Sequence, residues 1–406
     1  MAEDSPRPVR LRLKPAAESI IRRGHPWVFA ESIRDQSRDG ISGDLAVIYD
    51  RNDRFLAAGL FDADSPLRVR VAHCGRPTTI DADFWSRRIA DSCARRAPLF
   101  SDDTTGYRLV NGESDGLPGL VLDRYAEILV LKLYSAAWLP HLETIRTAVT
   151  RLHPGAGLVL RLARNLQSIA RQRADLSDGD TLRSGDGESA VPDTVVFREN
   201  GICFHADVRR GQKTGFFLDQ RDNRAHVEDL ATGRDVLNCF SFSGGFSLYA
   251  ARGGARSVTD VEISEHALRS ARANFALNPD LAAVDHAAIQ ANVFDWLDTE
   301  DRRKFNLVII DPPSLAKKAA DADAALKAYH RLFSAGIRRL HRRGILVAAS
   351  CSAHVRPAAF FELVTEVAGR SGRRLREVAR SGHAPDHPAT FPEAEYLKAI
   401  YLESTD

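Results

Sequence analysis

Apolar and polar positions along this chain fall into two regimes that change near residue 207. Before it, short alternating runs predominate. "LAVIYDRNDRFLAAGLFD" sets two apolar runs around Asp50–Asp53, a hairpin signal. "LRVRVAH" alternates strictly, as a half-buried strand does. Residues 82–97 have helical spacing, with Phe84, Ile89 and Cys93 near one face. "NGESDGLPG" is dense in turn residues, "ILVLKLY" predicts a strand, "LPHLETIRTAVTRL" an amphipathic helix and "GLVLRL" another strand. Residues 175–193 are polar and rich in Gly and Asp, which predicts a flexible surface loop. "VVFRENGICFHADV" predicts a hairpin about Asn200-Gly201.

Beyond residue 207, apolar runs of about five residues alternate with helical stretches of about fifteen. "DVLNCF", "SVTDVE", "HAAIQAN", "NLVIIDPP" and "GILVAAS" are the runs, and "LREVARS" and "YLKAIYL" close the chain. Continuous apolar strands joined by helical crossovers predict an α/β fold with a parallel sheet covered on both faces. The last two strands predict a hairpin at its edge. The expected organisation is a small β-rich domain over 1–73, a helical linker and central α+β domain over 74–206, and a doubly wound domain over 207–406.

Composition changes this picture little. The chain is 44% hydrophobic and 27% charged, as soluble globular proteins are. No run approaches a membrane span, and "MAEDSPRPVRLRLKP" lacks the apolar centre of a signal peptide, so a cytoplasmic protein is expected. The five cysteines, at 74, 93, 203, 239 and 351, are too scattered for zinc pairs or redox CxxC motifs. His383 and His387 are four apart, but on a Pro-rich stretch that spacing makes no metal face, so no metal is expected. Net charge is +2, yet arginine greatly outnumbers the eight lysines, and arginine is the better residue for phosphate forks and base stacking.

Candidate chemistry lies at strand ends, where ligands bind in such sheets. The first strand of the second regime ends "NCFSFSGGFS", where Gly244 and Gly245 let backbone pass close to a ligand and open a helix. The second ends at Glu262, whose carboxylate can accept both hydroxyls of a ribose; helix N-terminal charge beside an Ser264 cap is the plainer reading. The third ends at Asn292, whose amide can pair with an adenine edge. Together these suit an adenosine ligand.

With "GQKTGFFLDQRDNR" before the first strand, "IIDPPS" closing the fourth and "SCS" closing the fifth, the chain resembles the RlmI-like bacterial 23S ribosomal RNA methyltransferases. These are class I enzymes that use S-adenosyl-L-methionine (AdoMet) and make 5-methylcytosine. The resemblance spans nearly the whole chain. It implies a PUA domain in front, a central β-β-α-β-β domain and a Rossmann-like methyltransferase domain. It implies cofactor contacts from Phe217, Asp219, Gln220, Arg221, Asn238, Ser241, Gly244, Gly245, Glu262, Ile263, Asn292, Val293, Asp311 and Pro312. One departure is Asn292, where the family usually carries Asp. The expected partner is 23S ribosomal RNA, with no membrane and with a homodimer left open.

Carbon 5 of cytosine is a poor nucleophile. A thiolate adding to carbon 6 turns the ring into an enamine and cures that, which is covalent catalysis. Cys351 is where such a thiol would sit, and Asp311, rigidified by Pro312 and Pro313, would face the same crevice and hydrogen-bond the base. A free cysteine is more commonly a small buried hydrophobe. Some RNA 5-methylcytosine enzymes have a second cysteine after the fourth-strand Asp-Pro; here that position is Pro313. For RNA contact, Arg22, Arg23 and Trp27 pair charge with a stacking ring, Pro313 lies in the "DPPS" turn, and Lys317 and Lys318 follow it. The rival readings are a guanine N-methyltransferase of related architecture and an RNA-binding protein that retains AdoMet without turnover.

Overall fold

The computed structural model describes residues 7–182, 191–299 and 303–406. Residues 183–190, the latter part of the stretch expected to be a flexible loop, lie outside the described residues. The chain divides into two compact units: Met1–Arg198 with Ala206–Phe216 and Asp386–Phe391, and Glu199–His205 with Phe217–Pro385 and Pro392–Asp406.

The first unit holds two sheets. Strands β1 (Val9–Leu13), β2 (Trp27–Phe29), β3 (Ile33–Gln36), β4 (Leu45–Tyr49), β5 (Phe55–Phe61) and β6 (Leu67–Cys74) form one, in the order β2-β6-β5-β4-β1-β3. Helix α1 (Pro15–Arg22) interrupts it. The sequence reading missed this helix because an eight-residue element shows barely two turns of periodicity. Gly59 is required where β5 crosses β6, since a Cβ there would lie 2.0 Å from the Arg70 carbonyl oxygen. Strands β7 (Gly106–Asn111), β8 (Leu120–Tyr125), β9 (Ile128–Leu133) and β10 (Gly157–Leu162) form the second sheet, in the order β10-β9-β8-β7. Helices α2 (Ala82–Arg96) and α3 (Leu142–Leu152) and a short α4 (Gln167–Ala174) accompany it. Asp81 caps α2 by accepting from the Phe84 amide. The buried Trp85 and Trp138 rings meet edge to face in the shared core. Strands β11 (Thr194–Glu199) and β12 (Ile202–Asp207) form a separate hairpin, of which Glu199–His205 count with the second unit.

The second unit is built on seven strands: β13 (Asp235–Cys239), β14 (Ser257–Glu262), β15 (Asp285–Gln290), β16 (Phe305–Ile310), β17 (Leu340–Ser350), β18 (Leu375–Ser381) and β19 (Lys398–Ser404). Its helices are α5 (Arg221–Asp229), α6 (Gly245–Arg252), α7 (Glu265–Ala276), α8 (Val293–Leu297), α9 (Ala322–Arg338) and α10 (Pro357–Arg370). The order is β15-β14-β13-β16-β17-β19-β18. The first five strands are parallel, and β19 inserts antiparallel between β17 and β18. Residues Leu307 to Ile310 of β16 are fully buried, as a central strand covered on both faces requires. The closing pair is therefore asymmetric: β18 forms the edge and β19 the interior, which explains why "KAIYL" is the more apolar of the two. Chain order reverses direction between β13 and β16, and a crevice forms at such a point beyond the carboxyl ends of the strands.

Candidate active site

Three turns meet around the end of β13. The turn after it runs through Phe240, Phe242 and Gly244 with φ of 59°, 49° and 77°. Two left-handed non-glycine residues in five cost roughly 1–3 kcal/mol each, a strain that concentrates at functional turns. Gly244 has to be glycine on two counts: its φ, and an added Cβ would come within 3.0 Å of the Ala271 Cβ. Gly245 starts α6 against the Arg224 side chain. Arg224 is itself fixed by a bidentate pair with buried Glu199, at 2.8 and 2.7 Å, and donates to the Phe217 carbonyl.

Polar atoms around this turn are only partly satisfied by protein. The Asn238 amide nitrogen donates to Ser247 Oγ at 2.8 Å and to Asp260 at 3.2 Å. Its Oδ1 atom, Ser241 Oγ and Ser243 Oγ are buried and have no hydrogen-bond partner among the described residues. Native interiors leave few such atoms, so three together mark a place for a polar ligand. Glu262 ends β14 half-buried. One carboxylate oxygen accepts from the Phe242 amide at 3.1 Å and the other from the Ser264 amide at 3.0 Å. Ser264 caps α7. Next to it Ile263 is 64% exposed, an apolar side chain left bare beside the turn. Asn292 caps α8 by accepting from the Phe294 amide at 3.0 Å, and Val293 behind it is buried. In front of the turn, the Phe217 ring meets Phe242 edge-on at 5.0 Å. Asp219 is buried and accepts from the Tyr396 hydroxyl at 2.7 Å, and Arg221 is buried 3.4 Å from Asp222.

Strand register brings the other candidates together. Ile310 of β16 pairs with Ala348 of β17, so the residues that follow on each strand share one end of the sheet. Asp311 is half-buried and accepts from Gln220 Nε2 at 2.8 Å. Gln220 is held in turn by Asn223, and Asn223 by Ser381. At the end of β17, Ser350 and Ser352 are both fully buried, and Cys351 between them is partly exposed. The Cys351 thiol points to the Pro312 carbonyl at 3.8 Å, one residue from Asp311. The two serines are pinned by the Tyr329 hydroxyl at 2.8 and 3.0 Å, and Ser352 Oγ accepts from the Leu315 amide of the "DPPS" turn. Burial raises the Tyr329 phenol to about 12; its bonds to Ser350 and Ser352 oppose this, and the charges of Cys351 and Asp311 add to it.

Lys398 was not among the candidates. It pairs with Ser350 across β17 and β19, is 2% exposed, and spends its three N–H donors on the carbonyls of Ser352 and Val355, both at 2.6 Å, and Tyr396, at 3.2 Å. Burial lowers its pKa to about 8, against the opposing charge of Cys351. The signal in the sequence was a lysine inside an otherwise apolar strand. Tyr329 gave none, because in α9 it has the spacing of any core residue.

The residues singled out for RNA fall in both units. Lys317, Lys318 and Pro313 are exposed beside the Asp311 turn. Arg22 is paired with Glu18 and Asp50, Arg23 donates to Ser19, and the Trp27 indole donates to Glu113. His383 accepts from the Leu397 amide, a structural bond, and His387 is buried beside Asp386. Among the described residues no group of three His, Cys, Asp or Glu side chains could hold a metal, and no helix is long and apolar enough to cross a membrane.

Known proteins resemble this chain in sequence and in fold. The sequence model of a family described as S-adenosylmethionine-dependent methyltransferase matches residues 108–403, and that of a PUA-like domain matches residues 11–73. A Ribosomal RNA large subunit methyltransferase of Deinococcus radiodurans is 56% identical, over 99% of this chain and 98% of that protein. The Ribosomal RNA large subunit methyltransferase I of Shewanella amazonensis is 36% identical, over 97% and 98%. In fold, the chain is similar to a solved candidate SAM-dependent methyltransferase from Streptococcus mutans, with a TM-score of 0.81, 22% identity, and coverage of 97% and 99%. A second solved structure, a candidate methyltransferase complexed with SAH, has a TM-score of 0.82 at 22% identity and the same coverage.

Proposed function

The chain belongs to the S-adenosylmethionine-dependent methyltransferases of the ribosomal RNA large subunit methyltransferase I type, and from that premise we propose that it methylates carbon 5 of a cytosine in 23S ribosomal RNA through a covalent bond to Cys351. The observation that carries the reading is the partly exposed Cys351 thiol, 3.8 Å from the carbonyl adjoining Asp311, on the strand next to the one Asp311 ends.

The β13 turn fits the cofactor. Asn238 Oδ1, Ser241 Oγ and Ser243 Oγ offer unspent polar atoms there. Glu262 keeps lone pairs beyond the one N–H that each oxygen accepts, enough for ribose hydroxyls. Ile263 offers a bare apolar face for the adenine, and Asn292 lies at the adjoining strand end. When bound, AdoMet supplies a methyl group on a cationic sulfonium. The chain's own residues do the rest. Cys351 Sγ bonds to carbon 6 of the base and makes carbon 5 nucleophilic. Asp311, oriented by Gln220, accepts from the cytosine amino group and fixes the ring. Position 313 is proline, so a base other than a second cysteine takes the carbon-5 proton before the Sγ–carbon 6 bond breaks.

Incubation with large-subunit RNA containing 5-fluorocytosine is the test. Fluorine at carbon 5 cannot leave as a proton, so the adduct should persist as a slow-migrating species whose peptide carries Cys351. Methyl transfer without an adduct would favour the N-methyltransferase reading, and AdoMet binding with neither would favour a non-catalytic one. Glu262→Ala should weaken AdoMet binding by roughly 10- to 100-fold, the worth of a hydrogen bond to a charged group. Unchanged affinity in calorimetry would reject its ribose role.

A further inference from the structure

Outside the crevice, the first unit carries an open groove of about 550 Å³ between the end of β6, one face of α2 and the Gly112–Gly116 turn. Two of its three acids are already matched; the third, Asp91, is exposed. Asp115 is held by a bidentate pair with buried Arg96, at 2.9 and 2.8 Å, and by Arg95. Glu113 accepts from Arg70 at 2.8 Å and from the Trp27 indole at 2.9 Å.

Arg88 is different. It is half-buried in the groove wall and makes no hydrogen bond or ion pair among the described residues. Its guanidinium lies over the Phe84 ring at 4.9 Å. It also lies so close over Gly116 that a Cβ there would come 2.2 Å from Nη1, so glycine makes room for it. Burial lowers its pKa; exposed Asp91, one turn along, opposes this, and Arg95 adds to it. A planar fork that is desolvated, unpaired and beside a second guanidinium is arranged for an anion, and its geometry suits a phosphate. The volume is that of a small-ligand site and holds more than a phosphate alone.

We propose that this groove binds one nucleotide of the RNA substrate, with its phosphate on Arg88, as an anchor separate from the reactive base. The proposal rests on ribosomal RNA being the substrate and not on the chemistry at Cys351.

Filter binding of deproteinised large-subunit ribosomal RNA to the full chain, over a range of salt concentrations, tests it. Arg88→Gln should weaken binding roughly tenfold and reduce the slope of log K against log salt by about 1. Arg87→Gln, on the exposed neighbour outside the groove, should stay within about twofold of the parent, and an unchanged denaturant midpoint would verify the fold of each variant. In the unaltered protein, bound RNA should slow N-ethylmaleimide labelling of Cys74, an exposed thiol on the groove wall. Equal effects of the two substitutions, no effect of Arg88→Gln, or full Cys74 reactivity with RNA bound would each overturn the groove. Protection of Cys74 by ribosomal protein but not RNA would also overturn it. Failure of the unaltered protein to bind this RNA would sink the substrate reading with it.

Discussion

Cys351→Ala is expected to abolish the 5-fluorocytosine adduct and to cut single-turnover methyl transfer by about 10⁴-fold or more, the scale on which enzymes lose a nucleophile. AdoMet affinity should not change, because the residues proposed for the cofactor are Glu262 and those of the β13 turn, whereas the Cys351 thiol points to the Pro312 carbonyl. Stability should change little, since the side chain is partly exposed and the local fold is held by Ser350, Ser352 and Tyr329. A variant that transferred methyl within tenfold of the parent rate would end the nucleophile assignment. Serine at this position should be nearly as inactive as alanine: a hydroxyl is scarcely ionised near neutral pH, whereas a thiol is by a few per cent.

Lys398→Met should cost about 3 kcal/mol of stability, as removing the donor from buried carbonyls does. Methionine fills much the same space but removes the donor to the carbonyls of Val355 and Tyr396, while the Ser352 carbonyl keeps only the Val355 amide at 3.2 Å. That loss outweighs the relief of no longer burying a charge. The pH dependence has a definite sign. Burial brings the folded lysine down to about 8, against 10.5 for a lysine in the unfolded chain. Between these, unfolding takes up a proton, so this residue makes the folded state more stable as pH rises. Below pH 8 both states are protonated, and the cost of the buried charge is fully present. The stability gap between parent and variant should therefore widen by about 2 kcal/mol from pH 7.5 to 9.5 in denaturant titrations. A gap that narrowed would refute the buried-cation account. Because the ammonium lies one residue from Cys351 and attracts its thiolate, iodoacetamide should also label Cys351 several-fold more slowly in the variant at neutral pH.

How much of this was legible in the sequence varies with the range of the interaction. The change of hydrophobic period near residue 207 announced the alternating sheet and helices, because a strand covered on both faces has to be apolar throughout. Ser264 was readable as a cap, because an N-cap is a matter of three residues. The short helix α1 was not, and the placement of β19 inside β18 was not, since strand order depends on partners far away in the chain. The same holds for single side chains. Gln220 belonged to a recognisable motif, but nothing local says that its amide goes to Asp311, 91 residues on. Arg88 is one arginine among many until its neighbours are seen to pair elsewhere.

The sequence by itself determined the class of the fold, the strand ends and the residue types placed there: two glycines, a glutamate, an Asp-Pro-Pro and a cysteine between serines. These follow from periodicity, turn chemistry and composition, which act over a few residues. Only the tertiary structure decided that Cys351 is partly exposed while its flanking serines are buried, that a buried ammonium braces the backbone beside it, and that Arg88 makes no hydrogen bond or ion pair among the described residues. Each of those depends on register between strands or on which charges are already matched, and both are set by contacts between segments that are remote in the chain.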